Sequence, residues 1–161
     1  MTSSRVDKTL YLSALFATLI AAGAVVWSLA ARRPPPQYAV GDRFDGVPAV
    51  DLKAGPSTLV IWVSSRCGAC TASMPFYRQL TAGTHRARLV VMGQEPVDLL
   101  QDYVDAFGVR PAQVISTGDS SLKFVGTPTL LLIGQDSIVR SVWYGRRKGP
   151  VEELDIIRRV E

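Results

Sequence analysis

Histidine occurs once in this chain, at His85, and cysteine only twice, at Cys67 and Cys70. That scarcity excludes the commonest metal and haem sites. A structural zinc site needs four ligands, and two thiols with one distant imidazole fall short. Covalent c-type haem attachment needs a histidine directly after the second cysteine, and that residue is Thr71. An excess of charge of one sign is also missing from most of the chain. Residues 1–33 carry Arg5, Lys8, Arg32 and Arg33 against Asp7, while the remaining 128 residues hold 14 basic and 13 acidic side chains. The formal net charge of +4 is thus concentrated at the N-terminal end, and the rest offers no broad basic face for nucleic acid. The run Arg146-Arg147-Lys148 reads as a solvated turn. There is no internal repeat, and no low-complexity block beyond Pro34-Pro35-Pro36.

Between Thr9 and Ala31 the charge is absent altogether. Leu10, Leu12, Leu15, Phe16, Leu19, Ile20, Val25, Val26, Trp27 and Leu29 make this segment apolar nearly throughout. About 22 helical residues cover roughly 33 Å, enough for a hydrocarbon core of about 30 Å. Trp27 lies near the far end, where an interfacial aromatic belongs. The alternative is a cleaved signal peptide ending at Ser28-Leu29-Ala30, but the apolar run exceeds the usual h-region. The expected layout is a short tail (1–9), a transmembrane anchor (10–31), a proline-rich tether (32–43) and a globular domain (44–161). Lys and Arg are tied across the anchor. The short N-terminal tail favours a single-pass protein of the inner (cytoplasmic) membrane, with its domain on the periplasmic side. Consecutive prolines hold polyproline II and make the tether semi-rigid.

Strands and helices alternate in the domain. Thr58–Ser64 and Arg88–Met92 are continuous apolar runs of strand length. Helical spacing follows the cysteines, with Met74, Tyr77 and Thr81 on one side and Phe76 and Leu80 beside it. Pro96–Phe107 predicts a helix with a stripe of Val97, Leu100, Val104 and Phe107, stopped by Gly108. Pro111–Ser116 reads as a short extended piece and Ser120–Val125 as a helical turn. Thr129–Ile133 and Ile138–Tyr144 flank Gly134-Gln135-Asp136-Ser137 as an antiparallel hairpin. Pro150–Val160 predicts a closing helix whose apolar side is Val151, Leu154, Ile157 and Val160. The order predicts a mixed central sheet in an α/β fold, with helices on both faces.

Cys67-Gly68-Ala69-Cys70 stands where the first strand gives way to a helix. Two thiols at this spacing can close a small disulfide ring and reopen it. A thiol at a helix N-terminus also meets the positive end of the backbone dipole, which favours the reactive thiolate. A permanent structural disulfide is the alternative, but so short a ring constrains the unfolded chain little. The pattern therefore points to thiol–disulfide exchange, with no metal and no organic cofactor. Arg66, next to Cys67, is a candidate for lowering the thiol pKa. His85 lies in a polar loop and reads as surface.

This CxxC at the first strand-to-helix junction resembles the thioredoxin fold, over roughly Phe44–Val160. Pro75, five residues after Cys70, and Gly126-Thr127-Pro128-Thr129, just before an apolar strand, support the resemblance. It implies Cys67 as the nucleophile, Cys70 as the resolving thiol and a cis Thr127–Pro128 bond. The Thr127 backbone would then face the sulfurs, where an extended substrate can pair with it. The apolar N-terminal run, the prolines and the hairpin make the chain most similar to membrane-anchored TlpA/ResA-type thiol–disulfide oxidoreductases. Ser64-Ser65-Arg66-Cys67 also resembles the MauD-type proteins of methylamine dehydrogenase maturation. Several residues depart from these patterns. Arg66 replaces the usual tryptophan, and Ala69 the common proline. Ile61 stands where thioredoxin has a buried aspartate, and Ser73 where TlpA/ResA-type proteins often have glutamate.

The expected function is disulfide exchange with exported cysteine-containing proteins, in cytochrome c biogenesis or metalloenzyme maturation, with an upstream redox partner resetting the motif. Two rivals remain: a metallochaperone presenting the thiols to Cu(I), and a non-catalytic assembly subunit that keeps the fold for binding.

Overall fold

The computed structural model describes residues 3–31, 37–45, 47, 50–83, 85–118, 122–146 and 149–161, with side chains in the first stretch for 14–28 only. The chain divides into two compact units, Met1–Pro35 and Pro36–Glu161. The described residues of the first form one helix, α1 (Ser3–Ala31). Its described side chains are exposed, Phe16 at 69% and Trp27 at 78%. Among the described residues, no helix is long and apolar enough to cross a membrane. The side chains of 10–13 and 29–31, which the expected anchor includes, lie outside the described residues, as do residues 32–36 of the expected tether.

The second unit is built on β1 (Ser57–Trp62), α2 (Gly68–Ala82), β2 (Ala87–Gly93), α3 (Val97–Ala106), β3 (Gln113–Ser116), β4 (Thr129–Gly134), β5 (Val139–Tyr144) and α4 (Pro150–Val160). The five strands form one sheet in the order β3-β2-β1-β4-β5. β1 pairs parallel with β2 and antiparallel with β4; β2–β3 is parallel and β4–β5 antiparallel. β1 and β4 are central and covered on both faces, which is why their sequences are apolar without alternation. The Gly134–Ser137 turn closes the hairpin, with Ser137 at φ 65° and its N–H donating to Gly134 O at 3.0 Å.

Alternate residues of the strands feed two cores. Leu59, Ile61 and Val63 join Leu89, Val91, Leu130 and Leu132 on one face. Val60, Trp62, Val90, Met92, Leu131 and Ile133 belong to the other. Helices on both faces were expected, but among the described residues they lie on one. α2, α3 and α4 all bury residues in the first cluster, among them Met74, Leu100 and Ile156. Right-handed crossovers that advance in one direction, β1 to β2 to β3, leave α2 and α3 on the same side. The second face is covered instead by non-helical chain carrying Tyr38, Phe44, Val50 and Phe124. Phe124 stacks on Trp62 at 4.2 Å between ring centroids. Of the predicted helical turn, residues 120 and 121 lie outside the described residues, and 122–125 are not helical.

The apolar stripes of two helices also differ from expectation. In α3 only Leu100 and Val104 are buried, while Val97 and Phe107 are 50% and 36% exposed. In α4 the buried pair is Ile156 and Val160, with Val151 and Leu154 standing in solvent. The rotation of α4 is set by polar ties to β5. The Trp143 ring N–H donates to Asp155 at 3.3 Å, and Arg159 donates to Ser141 Oγ at 3.2 Å. His85 is half-buried beside Gly83 rather than on the open surface.

Candidate active site

The sheet register builds the site. Trp62 at the end of β1 pairs with Thr129 at the start of β4, so the loop leaving β1 lies beside the segment entering β4. Cys67 is on the first and Thr127-Pro128 on the second, and the Thr127–Pro128 bond is cis. The Cys67 thiol donates to the Thr127 carbonyl oxygen at 3.3 Å. Cys67 is also the N-cap of α2, where its sulfur accepts the Cys70 backbone N–H at 3.1 Å. Capping positions favour small acceptor side chains, because the first turn of a helix has unpaired N–H groups. The same sulfur therefore closes the helix and faces the Thr127 loop.

The two cysteines are free and differ in setting. Cys67 is half-buried and Cys70 wholly buried. Burial pushes the Cys67 thiol up, but hydrogen bonding from the Cys70 and Thr127 side chains and from the backbone of Cys70 and Ala69 outweighs it. The thiol comes to rest below its ordinary value of 9.0. Burial, reinforced by the hydrogen bond to Cys67 and by its charge, pushes Cys70 up to about 12. One sulfur is thus poised to ionise and the other to keep its proton.

Two clefts of about 290 Å³ meet at Thr127. One is lined by Trp62, Ser64, Arg66, Gln94 and Glu95. The other is lined by Val125, Gly126, Thr129 and Tyr144. Tyr144 is 38% exposed on the cleft side of β5, so it borders this space rather than packing in the core. Among the described residues, no cluster of three or more His, Cys, Asp or Glu could hold a metal ion.

No family model and no curated protein matches the sequence. Solved structures do match in shape. The chain is similar to the thioredoxin domain of a thiol-disulfide oxidoreductase from Bacteroides vulgatus (TM-score 0.60, 15% identity, covering 78% of this chain and 100% of that one). It is similar to StoA from Bacillus subtilis (0.55, 14%, 80% and 100%). It also matches DsbF of Mycobacterium tuberculosis (0.54, 19%, 66% and 79%). The fold is thioredoxin-like.

Within that fold, Arg66 is exposed, and its charge acts on Glu95. The groups that lower Cys67 are the hydrogen-bond donors around its sulfur. Sequence reasoning missed two residues. Glu95 accepts from the Ser65 N–H at 3.0 and 3.1 Å to its two oxygens, from Ser65 Oγ at 2.8 Å and from Ser64 Oγ at 3.0 Å. Burial pushes its carboxyl up, but these bonds and then the Arg66 charge hold it below its ordinary value of 4.5. The register could have found it. β1 and β2 are parallel with Trp62 opposite Met92, so three residues beyond the pair Ser65 meets Glu95. Tyr103 of α3 is the second, its hydroxyl 3.0 Å from Thr71 Oγ1 in the first turn of α2. Burial raises its pKa, and the charges of Cys70, Cys67 and Glu95 add to the rise against the Thr71 bond. Its partner lies on a different helix, and one-dimensional periodicity carries no sign of that.

Two outcomes follow from the split thiols. Iodoacetamide is expected to modify one sulfur of the reduced chain, Cys67, with a titration midpoint below 9.0, as peptide mapping across pH would read. Equal labelling of Cys70 would contradict this. Stability should fall in alkali. The folded Cys70 holds its proton to about 12, while an unfolded thiol releases it near 9.0. The unfolded chain therefore binds fewer protons between these values, and its share grows as pH rises, by at most about 1.4 kcal/mol per pH unit. Below pH 9 this contribution is fully present. Urea unfolding of the reduced protein should show the decline, and Cys70→Ala should make it shallower, most clearly between pH 9 and 10, below the ordinary tyrosine value.

Proposed function

We propose that this chain is a thiol–disulfide oxidoreductase. The observation that carries the reading is the asymmetry at one helix N-terminus. An accessible sulfur held below its ordinary pKa lies one turn from a buried sulfur pushed up to about 12. The Cys67 thiolate attacks one sulfur of a partner disulfide, that S–S bond breaks, and the partner is held by the attacked sulfur, now bonded to Cys67, while its other sulfur is freed as a thiolate. Cys70 then passes its proton to the partner thiolate just freed and attacks the Cys67 sulfur. The second partner thiolate departs, and a Cys67–Cys70 disulfide remains. Two electrons have passed to the partner, and a dithiol protein upstream returns them. The reverse sequence oxidises a partner dithiol.

Thr127 and Pro128 form the edge against which an extended partner segment lies, between the two clefts. Arg66 contributes positive charge at the mouth of one of them. The partners in this reading are exported proteins with cysteine pairs, as in cytochrome c or metalloenzyme maturation. Residues 10–31 anchor the protein in the inner membrane, with the domain on the periplasmic side. The charge-free apolar run and the exposed apolar side chains of α1 support that anchor.

The test mixes reduced full-length protein with a peptide disulfide. The expected result is a Cys67–Cys70 disulfide and two peptide thiols released per chain. Persistence of both protein thiols would overturn the reading. Alkaline carbonate extraction tests the anchor: the full chain should stay with the membrane pellet and a chain lacking residues 10–31 should not. Release of both would exclude it.

A further inference from the structure

The loop between β1 and α2 has to deliver the Cys67 sulfur to a fixed place. Its own sequence, Ser64-Ser65-Arg66, has no proline and no apolar side chain to pin it. Within the loop, the Cys67 N–H donates to Ser64 O at 3.1 Å and the Arg66 N–H to Ser64 Oγ at 3.2 Å. The anchor comes from the neighbouring strand exit. One half-buried carboxylate, Glu95, takes the Ser65 N–H on both oxygens and both serine hydroxyls as well. Hydrogen bonds to an ionised acceptor are about twice as strong as neutral ones. The loop residues on either side of these bonds carry the two ends of the pose: Val63 is fixed in the sheet by its N–H to Met92 O at 2.9 Å, and Cys67 caps α2.

We infer that Glu95 is a positioning residue, which clamps the Ser64–Ser65 turn and so holds the Cys67 sulfur against the Cys70 N–H and Thr127. The inference rests on the exchange reading for its use, but not for its measurement. The position matters chemically because the sulfur ionises easily only where those donors reach it. A loop released from its clamp samples poses in which the sulfur is solvated and its acidity ordinary. The bonds of Glu95 go to Ser64 and Ser65 and not to the sulfur, so it acts on Cys67 through the turn.

A rival role would be purely electrostatic, since a carboxylate near the site opposes the thiolate. The two roles predict opposite signs on removal. Losing the clamp raises the Cys67 midpoint, whereas losing only a negative charge lowers it. Glu95→Gln deletes the charge but keeps an oxygen for the Ser65 N–H and an amide that pairs with a serine hydroxyl. Glu95→Ala deletes both.

The experiment measures the pH profile of Cys67 alkylation by iodoacetamide in the reduced full-length chain and in both variants. Clamping predicts that Glu95→Ala moves the midpoint up by about one unit, which slows labelling roughly tenfold below the midpoint. Glu95→Gln should stay at or slightly below the parent midpoint. Variants that shift together, or not at all, would overturn the inference. Cys70 should remain protected in Glu95→Ala; its exposure would mean that the carboxylate supports folding in general, which also overturns it. If the parent protein fails to exchange with a peptide disulfide while the two variants still separate, the exchange reading falls and the clamp stands. If the parent exchanges and the variants coincide, the clamp alone falls.

Discussion

Cys67→Ser is expected to cut disulfide exchange by about a thousandfold or more while leaving the domain folded. The serine hydroxyl does not ionise near neutral pH and cannot replace the thiolate as nucleophile. The remaining sulfur gives little relief. Cys70 is wholly buried and pushed up to about 12, so at pH 7 its thiolate fraction is on the order of one in 10⁵. Folding should be spared, because serine is among the best N-cap residues and its oxygen can accept the Cys70 N–H that the sulfur accepts now. Unfolding free energy within about 0.5 kcal/mol of the parent, beside the lost turnover, would separate chemistry from structure. A variant that keeps a tenth of the parent turnover would contradict the assignment of Cys67 as nucleophile.

Gly93→Val is the substitution expected to damage the fold most per atom added. A Cβ at position 93 would lie 2.7 Å from the Val63 carbonyl oxygen and 2.9 Å from Leu100 Cδ2. The first is backbone at the exit of β1, and the second belongs to a residue with no exposed surface. Neither has room to yield. Branching at Cβ adds two methyl groups to the same gap. Overpacking of this kind costs typically 1–3 kcal/mol and occasionally more, and about 3 kcal/mol is expected here. Because Val63 immediately precedes the Ser64-Ser65 turn, the same strain should slow Cys67 alkylation. Urea unfolding measures the first effect and peptide mapping the second. A stability within about 0.5 kcal/mol of the parent would show that the strands separate more easily than their close approach implies.

Much of this site is legible in one dimension. Cys67 and Cys70 identify themselves by being the only cysteines, and the apolar runs of β1 and β4 are long because both of their faces are covered. The proline before β4 gains its meaning only from pairing: Thr127 reaches the sulfur because Trp62 and Thr129 are partners across the sheet. Glu95 was hidden for the same reason, since its serine partners are 30 and 31 residues away and brought level by a parallel register. Helix faces were the weakest part. α4 carries apolar residues at 151, 154, 156, 157 and 160, which fit more than one stripe in eleven residues. The choice of Ile156 and Val160 comes from Asp155 and Arg159 reaching β5, a tertiary contact. The placement of three helices on one face likewise reflects crossover handedness and the cover supplied by Tyr38, Phe44 and Phe124, which periodicity does not encode.

At the positions where related patterns place an acid, Ile61 is fully buried and Ser73 turns its hydroxyl to Ala69 O at 2.9 Å. The carboxylate near this site is Glu95, on a different loop, and it is engaged with the turn before Cys67.

The most direct test of the account uses full-length Cys70→Ala mixed with a peptide disulfide, with the products resolved by mass spectrometry after an acid quench. The account predicts one peptide held through Cys67, one peptide thiol released, and a complex that persists until an external thiol is added. A variant that releases both peptide thiols, or that never captures the peptide while Cys67 stays reduced, would contradict it.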